Sequence, residues 1–133
     1  MADHTQLIQA ALAARKQAHA PYSKFQVGAA LQTSDGITIS GSNVESASYG
    51  LSCCAERVAI FKALSENQHN FSALAIASPG GAAPCGACRQ IIAEFAPEAT
   101  LILVNSESPS ATAEKTNIKT LLPVAFTGDD LPR

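Results

Sequence analysis

The chain has 133 residues and a mass of 13.7 kDa, the size of one ordinary domain, expected here over residues 1–133, which buries about two thirds of the surface its unfolded form exposes. Hydrophobic residues make up 47 % and charged residues 15 %, a globular balance that excludes a disordered or supercharged chain. Nine Lys plus Arg against eleven Asp plus Glu give a net charge of -2, which argues against a broad basic face for nucleic acid and favours a small or neutral partner.

No apolar run approaches the ~20 residues needed to cross a bilayer, and the start MADHTQL lacks the basic and apolar blocks of a signal peptide. The expectation is a cytoplasmic protein with no membrane partner. From about Thr5 to Ala18, Leu7, Ile8, Ala11 and Leu12 form one helical stripe, and Pro21 stops the helix. Phe25, Val27, Ala29 and Leu31 then alternate in period two, Asp35-Gly36 supplies a turn, and Ile37 and Ile39 resume the alternation, predicting a β-hairpin. A polar loop from Gly41 to Ser52 feeds a helix beginning near Cys54 and running to about Glu66, with Ala55, Val58, Ala59 and Leu64 at helical spacing.

Leu74 to Ala77 is a short apolar run closed by Ser78-Pro79-Gly80-Gly81. Ile91, Ile92 and Phe95 then mark one face of a helix from Gly86 to Phe95, and Leu101 to Val104 is apolar throughout. This strand, helix, strand order predicts parallel strands, and the whole an α/β sheet with a hairpin at one side and helices on both faces. Ile118 to Val124 fits either a last strand or a helical turn.

Four cysteines, Cys53, Cys54, Cys85 and Cys88, suit disulfides poorly in a reducing compartment and raise the question of a metal. The stretches Cys54-Ala55-Glu56 and Pro84-Cys85-Gly86-Ala87-Cys88 each sit where a loop enters a helix. There the helix dipole and free amides favour the thiolate, the form that binds metal. Three such sulfurs fill three corners of a zinc tetrahedron and leave the fourth open, as in a catalytic site. A carboxylate that is not a ligand would handle protons. Glu56, about 200° around a helix from Cys54, borders the same pocket without sharing the metal. Three thiolates and one zinc leave a charge of -1, which a cation such as Arg57 would offset.

These motifs resemble the cytidine deaminase family in its three-cysteine form. The likeness runs from Pro21-Tyr22-Ser23 through Phe25-Gln26-Val27-Gly28-Ala29-Ala30-Leu31, Asn43-Val44-Glu45, Cys54-Ala55-Glu56-Arg57 and Pro84-Cys85-Gly86-Ala87-Cys88-Arg89-Gln90 to Leu121-Leu122-Pro123. The resemblance implies a three-layer α/β/α sandwich around a five-stranded mixed sheet, and one Zn2+ per subunit held by Cys54, Cys85 and Cys88. It implies Glu56 as general acid and base, and Phe25, Asn43, Glu45 and Ala55 as substrate-contact positions. Arg57 and Gln90 fall beside the thiolates in that pattern. The implied reaction is hydrolytic deamination of cytidine and 2'-deoxycytidine, with Glu56 carrying protons to N3 and to the departing amino group. Short members of the family are homotetramers with shared sites, and Phe126 matches the aromatic residue that reaches the neighbouring subunit's base.

Other readings of the same residues stay open. Cys53 could close a structural zinc knot as fourth ligand, although one step along a helix it would point about 100° aside; a free thiol is the simpler expectation. The protein would then be a zinc-stabilised binding module. The related blasticidin-S deaminases resemble the chain around the zinc but lack the carboxylate of Asn43-Val44-Glu45, which tilts the substrate toward nucleosides. Taken singly, Phe25 could be strand core, and Asn43 and Glu45 a solvated loop.

Overall fold

The two hydrophobic periods, near two in the strands and near 3.6 in the helices, build a mixed sheet between two helical layers. The computed structural model describes residues 4–132. Among these the elements are α1 (Thr5–Arg15), β1 (Gly28–Thr33), β2 (Thr38–Ser42), α2 (Ala55–Ser65), β3 (Phe71–Ser78), α3 (Gly86–Phe95), β4 (Thr100–Asn105), β5 (Glu114–Thr116) and α4 (Ile118–Leu121). Short 3-10 turns occupy Tyr49–Leu51 and Gly128–Asp130. The five strands lie in the order β2-β1-β3-β4-β5. β1 pairs antiparallel with β2 and β3, β4 runs parallel to β3, and β5 closes the edge antiparallel to β4.

Alternation along the strands sorts the core into two sides. Leu31, Leu74, Ile76, Leu101 and Leu103 face Ala59, Ile60 and Ala63 of α2 and Ile92 of α3. Ala30, Ala73, Ala75, Ala77, Ile102 and Val104 face Leu7 and Ala11 of α1. The second side is rich in alanine, so α1 comes close to the sheet. A Cβ on Gly28 would lie 2.1 Å from the Ala11 carbonyl oxygen. Full burial of each large aliphatic side chain contributes about 1.5–3 kcal/mol, so the two cores carry the stability and leave the polar loops at the strand ends free to carry chemistry. No helix among the described residues is long and apolar enough to cross a membrane.

Three elements differ from the sequence expectation. α1 ends at Arg15 instead of running to Ala18, because Lys16, Gln17 and Ala18 wind more tightly, each amide donating to the carbonyl three residues back. The hairpin's first strand begins at Gly28, so Phe25 and Val27 precede it. The fifth strand is Glu114–Thr116, and Ile118–Leu121 forms the helical turn, capped by the Asn117 side chain accepting from the Thr120 amide at 2.9 Å. A three-residue polar edge strand has no hydrophobic alternation to read, and its pairing with Leu101, Ile102 and Leu103 is main-chain only in register.

Gly41 sets the seat of α2. A Cβ there would lie 2.7 Å from the Ala59 nitrogen and 3.0 Å from the Ala55 carbonyl oxygen, so the helix that begins at the site rests directly on the β2 backbone. Gly41→Ala is expected to push α2 outward and lower stability by about 1–3 kcal/mol, the usual range for overpacking. Denaturant unfolding followed by far-UV circular dichroism measures this; an unchanged midpoint would refute the close-approach argument.

Candidate active site

The site forms where the N-termini of α2 and α3 converge. Cys54 and Cys85 are the capping residues of these helices, both with extended backbone, and Cys88 lies in the first turn of α3. The three sulfurs all lie within 4.8 Å of one another, and Cys54 Sγ and Cys85 Sγ are 3.6 Å apart. Sulfurs at two corners of a zinc tetrahedron with ~2.3 Å bonds stand about 3.8 Å apart, so the donor set fits that ion. Cys53 lies outside the cluster and is a half-buried free thiol. It precedes α2, not on a helix but in an isolated bridge to Val44, with both main-chain bonds made at 2.9 and 3.0 Å.

Charge is concentrated at this centre. The Cys88 thiol, with Arg57 and Cys85, draws the Cys54 thiol down to about 5, and the Cys54 thiolate together with burial pushes Cys88 up. The cluster therefore shares protons that a divalent cation displaces. Arg57 Nη2 donates to Cys54 Sγ at 3.6 Å, and that bond raises the guanidinium further above its ordinary value. Glu56, in the first turn of α2, is only 4 % exposed, and burial raises its carboxyl above the ordinary value of 4.5. A buried carboxyl so shifted suits proton transfer near neutral pH.

Cys54, Cys85, Glu56, Phe25, Asn43 and Glu45 line one cavity of about 310 Å³, within the range of small-molecule sites. Ile76 and Ser78 form part of its wall at the C-terminal end of β3. A neighbouring hollow of about 340 Å³ is lined by Tyr22, Ser23, Glu45, Ser46, Tyr49 and Ser52. It holds none of the sulfurs, so the chemistry belongs to the first cavity.

The Asn43 amide works on its own chain. Its Oδ1 accepts from the Val27 amide at 2.9 Å and its Nδ2 donates to the Phe25 carbonyl at 2.9 Å. The Asn43 carbonyl meanwhile accepts from the His19 amide at 2.9 Å. The Asn43 main-chain amide still donates to the Val27 carbonyl at 3.2 Å while its carbonyl has turned to His19, so the side chain adds to a β1–β2 pairing that the main chain continues only in part past Gly28. Glu45 Oε1 accepts from the Tyr22 and Ser23 amides at 3.0 and 3.1 Å, and Oε2 accepts from the Ser23 hydroxyl. The hydroxyl bond, then the amides, hold the Glu45 carboxyl below its ordinary value.

The remaining predicted positions lie apart. Ala55 is fully buried in the core beneath the site. Phe126 is 58 % exposed, and its carbonyl accepts from Gln90 Nε2. Arg89, which no motif spacing marks as functional, clamps the Pro84-Cys85 loop. Its Nε donates to the Pro84 carbonyl at 2.7 Å and its Nη1 to the Leu121 carbonyl at 2.9 Å. Ser23 likewise carries no functional signal of its own in the sequence. Its position two residues before Phe25 in Pro21-Tyr22-Ser23 is the signal that could have found it.

A cluster of three thiols, two of which line the same cavity as a buried carboxyl, defines a zinc-site hydrolase centre of the kind that activates water. Residues 1–104 match the family described as the cytidine and deoxycytidylate deaminase zinc-binding region, and the chain belongs to this family. A cytidine deaminase of Halalkalibacterium halodurans is 44 % identical over 131 residues, covering 97 % of this chain and 98 % of that protein. A blasticidin-S deaminase of Bacillus cereus is 33 % identical, covering 79 % of each. The crystal structure of cytidine deaminase from Burkholderia pseudomallei superimposes with a TM-score of 0.87 at 47 % identity, covering 94 % of this chain and 100 % of that one.

If Cys54, Cys85 and Cys88 form the metal centre, alanine at any of the three abolishes or sharply reduces bound zinc, while Cys53→Ala retains one ion per chain. Metal analysis of the four purified variants measures this. Zinc lost from Cys53→Ala but kept by Cys54→Ala would overturn the ligand set.

Proposed function

We propose that the protein catalyses the hydrolytic deamination of cytidine and 2'-deoxycytidine to uridine and 2'-deoxyuridine, releasing ammonia. The observation that carries this reading is one cavity lined by Cys54 and Cys85, the buried Glu56, the Phe25 ring and the Glu45 carboxylate. Zinc held by Cys54, Cys85 and Cys88 supplies Lewis-acid activation of water. Glu56 takes one proton of the attacking water and passes it to N3 of the base, then takes the proton of the resulting C4 hydroxyl and gives it to the amino group, which leaves as ammonia while the C4 carbonyl forms. Arg57, donating to Cys54 Sγ, offsets the negative charge of the sulfurs. Phe25 forms a wall for the base, and the Glu45 carboxylate accepts from a sugar hydroxyl.

The setting we infer is pyrimidine salvage in the cytoplasm; its reducing compartment is supported by four cysteines none of which is paired in a disulfide. We further infer a homotetramer with shared sites, in which Phe126 of one subunit covers the nucleoside bound by another. The exposure of Phe126, with Tyr49 at 77 % and Leu51 at 76 %, supports that assembly.

Glu56→Gln is expected to retain zinc and fold while losing turnover by at least about a hundredfold, the lower range of general acid-base contributions. Steady-state kinetics on the zinc-loaded variant checks this, and turnover within about tenfold of the parent would remove the proton-carrying role. For the shared site, Glu56→Gln and Phe126→Ala chains are co-assembled and assayed. Activity above the sum of the separate variants is expected, since some sites then pair an intact Glu56 with an intact Phe126. No rise in oligomers proven to be mixed would return Phe126 to its own chain.

A further inference from the structure

The Ser23 hydroxyl occupies an unusual place between the two walls of the cavity. It donates to Glu45 Oε2 and accepts from the Phe25 amide at 3.0 Å. A serine hydroxyl has a single proton, so its bond to Glu45 is committed in one direction while its lone pair holds Phe25. The other side of the Phe25 unit is held by Asn43, which accepts from the Val27 amide and donates to the Phe25 carbonyl. An unbroken chain of hydrogen bonds therefore runs from Glu45 through Ser23, Phe25 and Asn43 to Val27.

The acceptor count on Glu45 gives this chain a purpose. Oε1 already takes two amides, from Tyr22 and Ser23, at 3.0 and 3.1 Å. Oε2 takes one hydroxyl, leaving it with acceptor capacity for one more donor. The carboxylate is thus oriented by three bonds from Tyr22 and Ser23, and one acceptor position remains for a ligand. The turn that presents Ser23 is itself strained: Lys24 has φ 62, a left-handed conformation that costs a non-glycine residue free energy and persists only where its surroundings hold it. The bonds from Ser23 to Glu45 and Phe25, with the Lys24 amide donating to the Ala20 carbonyl at 3.1 Å, are what hold it.

We propose that Ser23 is a positioning residue that joins the base wall at Phe25 to the sugar acceptor at Glu45, so that recognition of the sugar hydroxyls and of the base is one coupled event. This rests on the reading of Glu45 as the sugar acceptor. Ser23 touches neither the reacting carbon nor the metal ligands; its effect passes through Glu45 and Phe25. Loss of the hydroxyl removes the one bond that fixes Oε2, leaving the carboxylate held only through Oε1 by the Tyr22 and Ser23 amides, and loosens the Phe25 amide, which weakens binding of a hydroxyl-bearing nucleoside far more than the chemical step.

The test compares Ser23→Ala, Ser23→Thr, Glu45→Gln and the double variant Ser23→Ala/Glu45→Gln, each zinc-loaded, on cytidine and on 2',3'-dideoxycytidine. For Ser23→Ala, kcat/KM on cytidine is expected to fall about tenfold, the scale of a lost hydrogen bond to a charged group, and mainly through KM. Ser23→Thr, which keeps the hydroxyl, restores most of it. On the dideoxy substrate, which keeps its 5'-hydroxyl but lacks the 2'- and 3'-hydroxyls that Glu45 is read as accepting from, the Ser23→Ala effect shrinks to about twofold. In the Glu45→Gln background the same substitution costs much less than in the parent, the non-additivity expected of residues acting through one another. Ser23→Cys provides a second side chain of similar shape should Ser23→Ala fail to fold. An impaired Glu45→Gln beside a Ser23→Ala as active as the parent would overturn the proposal alone. Equal Ser23→Ala losses on both substrates, or effects that simply multiply in the double variant, would do the same. A Glu45→Gln enzyme with parental kcat/KM on cytidine would instead remove the sugar role of Glu45, and the proposal with it.

Discussion

The structure depends on bringing three sulfurs together at the meeting of two helix N-termini. Thiolates repel one another, and crowding them within 4.8 Å requires positive charge from every available source. The helix ends supply part of it through their dipoles and free amides, Arg57 supplies more through its bond to Cys54, and a divalent ion supplies the largest share. The framework has to hold the two helix ends in place before any metal arrives. It does so through Gly41, which seats α2 on β2, and through the parallel β3–α3–β4 unit, whose loop after Ser78 delivers Cys85 to the N-cap of α3.

The same convergence explains Glu56. A carboxyl that is 4 % exposed and adjacent to thiolates would ordinarily be destabilising as an anion, and burial raises its proton affinity. For the proton-carrying role proposed for Glu56, this raised affinity is the useful property. The cost of burying it is offset by the aliphatic packing of α2 through Ala59, Ile60 and Ala63 on the sheet.

Opposite the metal side, the cavity wall consists of backbone held by side chains. β1 begins only at Gly28, and the segment carrying Phe25 and Val27 lies beyond regular strand pairing. Asn43 and Ser23 substitute for the missing ladder, one on the carbonyl side of Phe25 and one on its amide. Polar residues that pattern analysis reads only as ligand contacts or solvated loop thus have a second task, which is to give an irregular segment one conformation.

A sheet with helices on both faces was legible from hydrophobic pattern, in the alternation of Phe25, Val27, Ala29 and Leu31 and in the apolar runs 74–77 and 101–104, whereas the five-stranded three-layer arrangement was legible only through the family resemblance. The sulfur set and Glu56 were legible because their spacing is local: Cys54 and Glu56 share one helix start, and Cys85 and Cys88 share one turn of another. What only the tertiary structure decided involves residues far apart in the chain or without an apolar signal. The partnership of Ser23 with Glu45 spans 22 residues and that of Arg89 with Leu121 spans 32. No period or motif spacing encodes such pairs, because they arise from where the sheet order places two loops. The edge strand Glu114–Thr116 was hidden for a related reason: its pairing is made by main-chain groups that every residue carries, so only the register of β4 beside it selects where it forms.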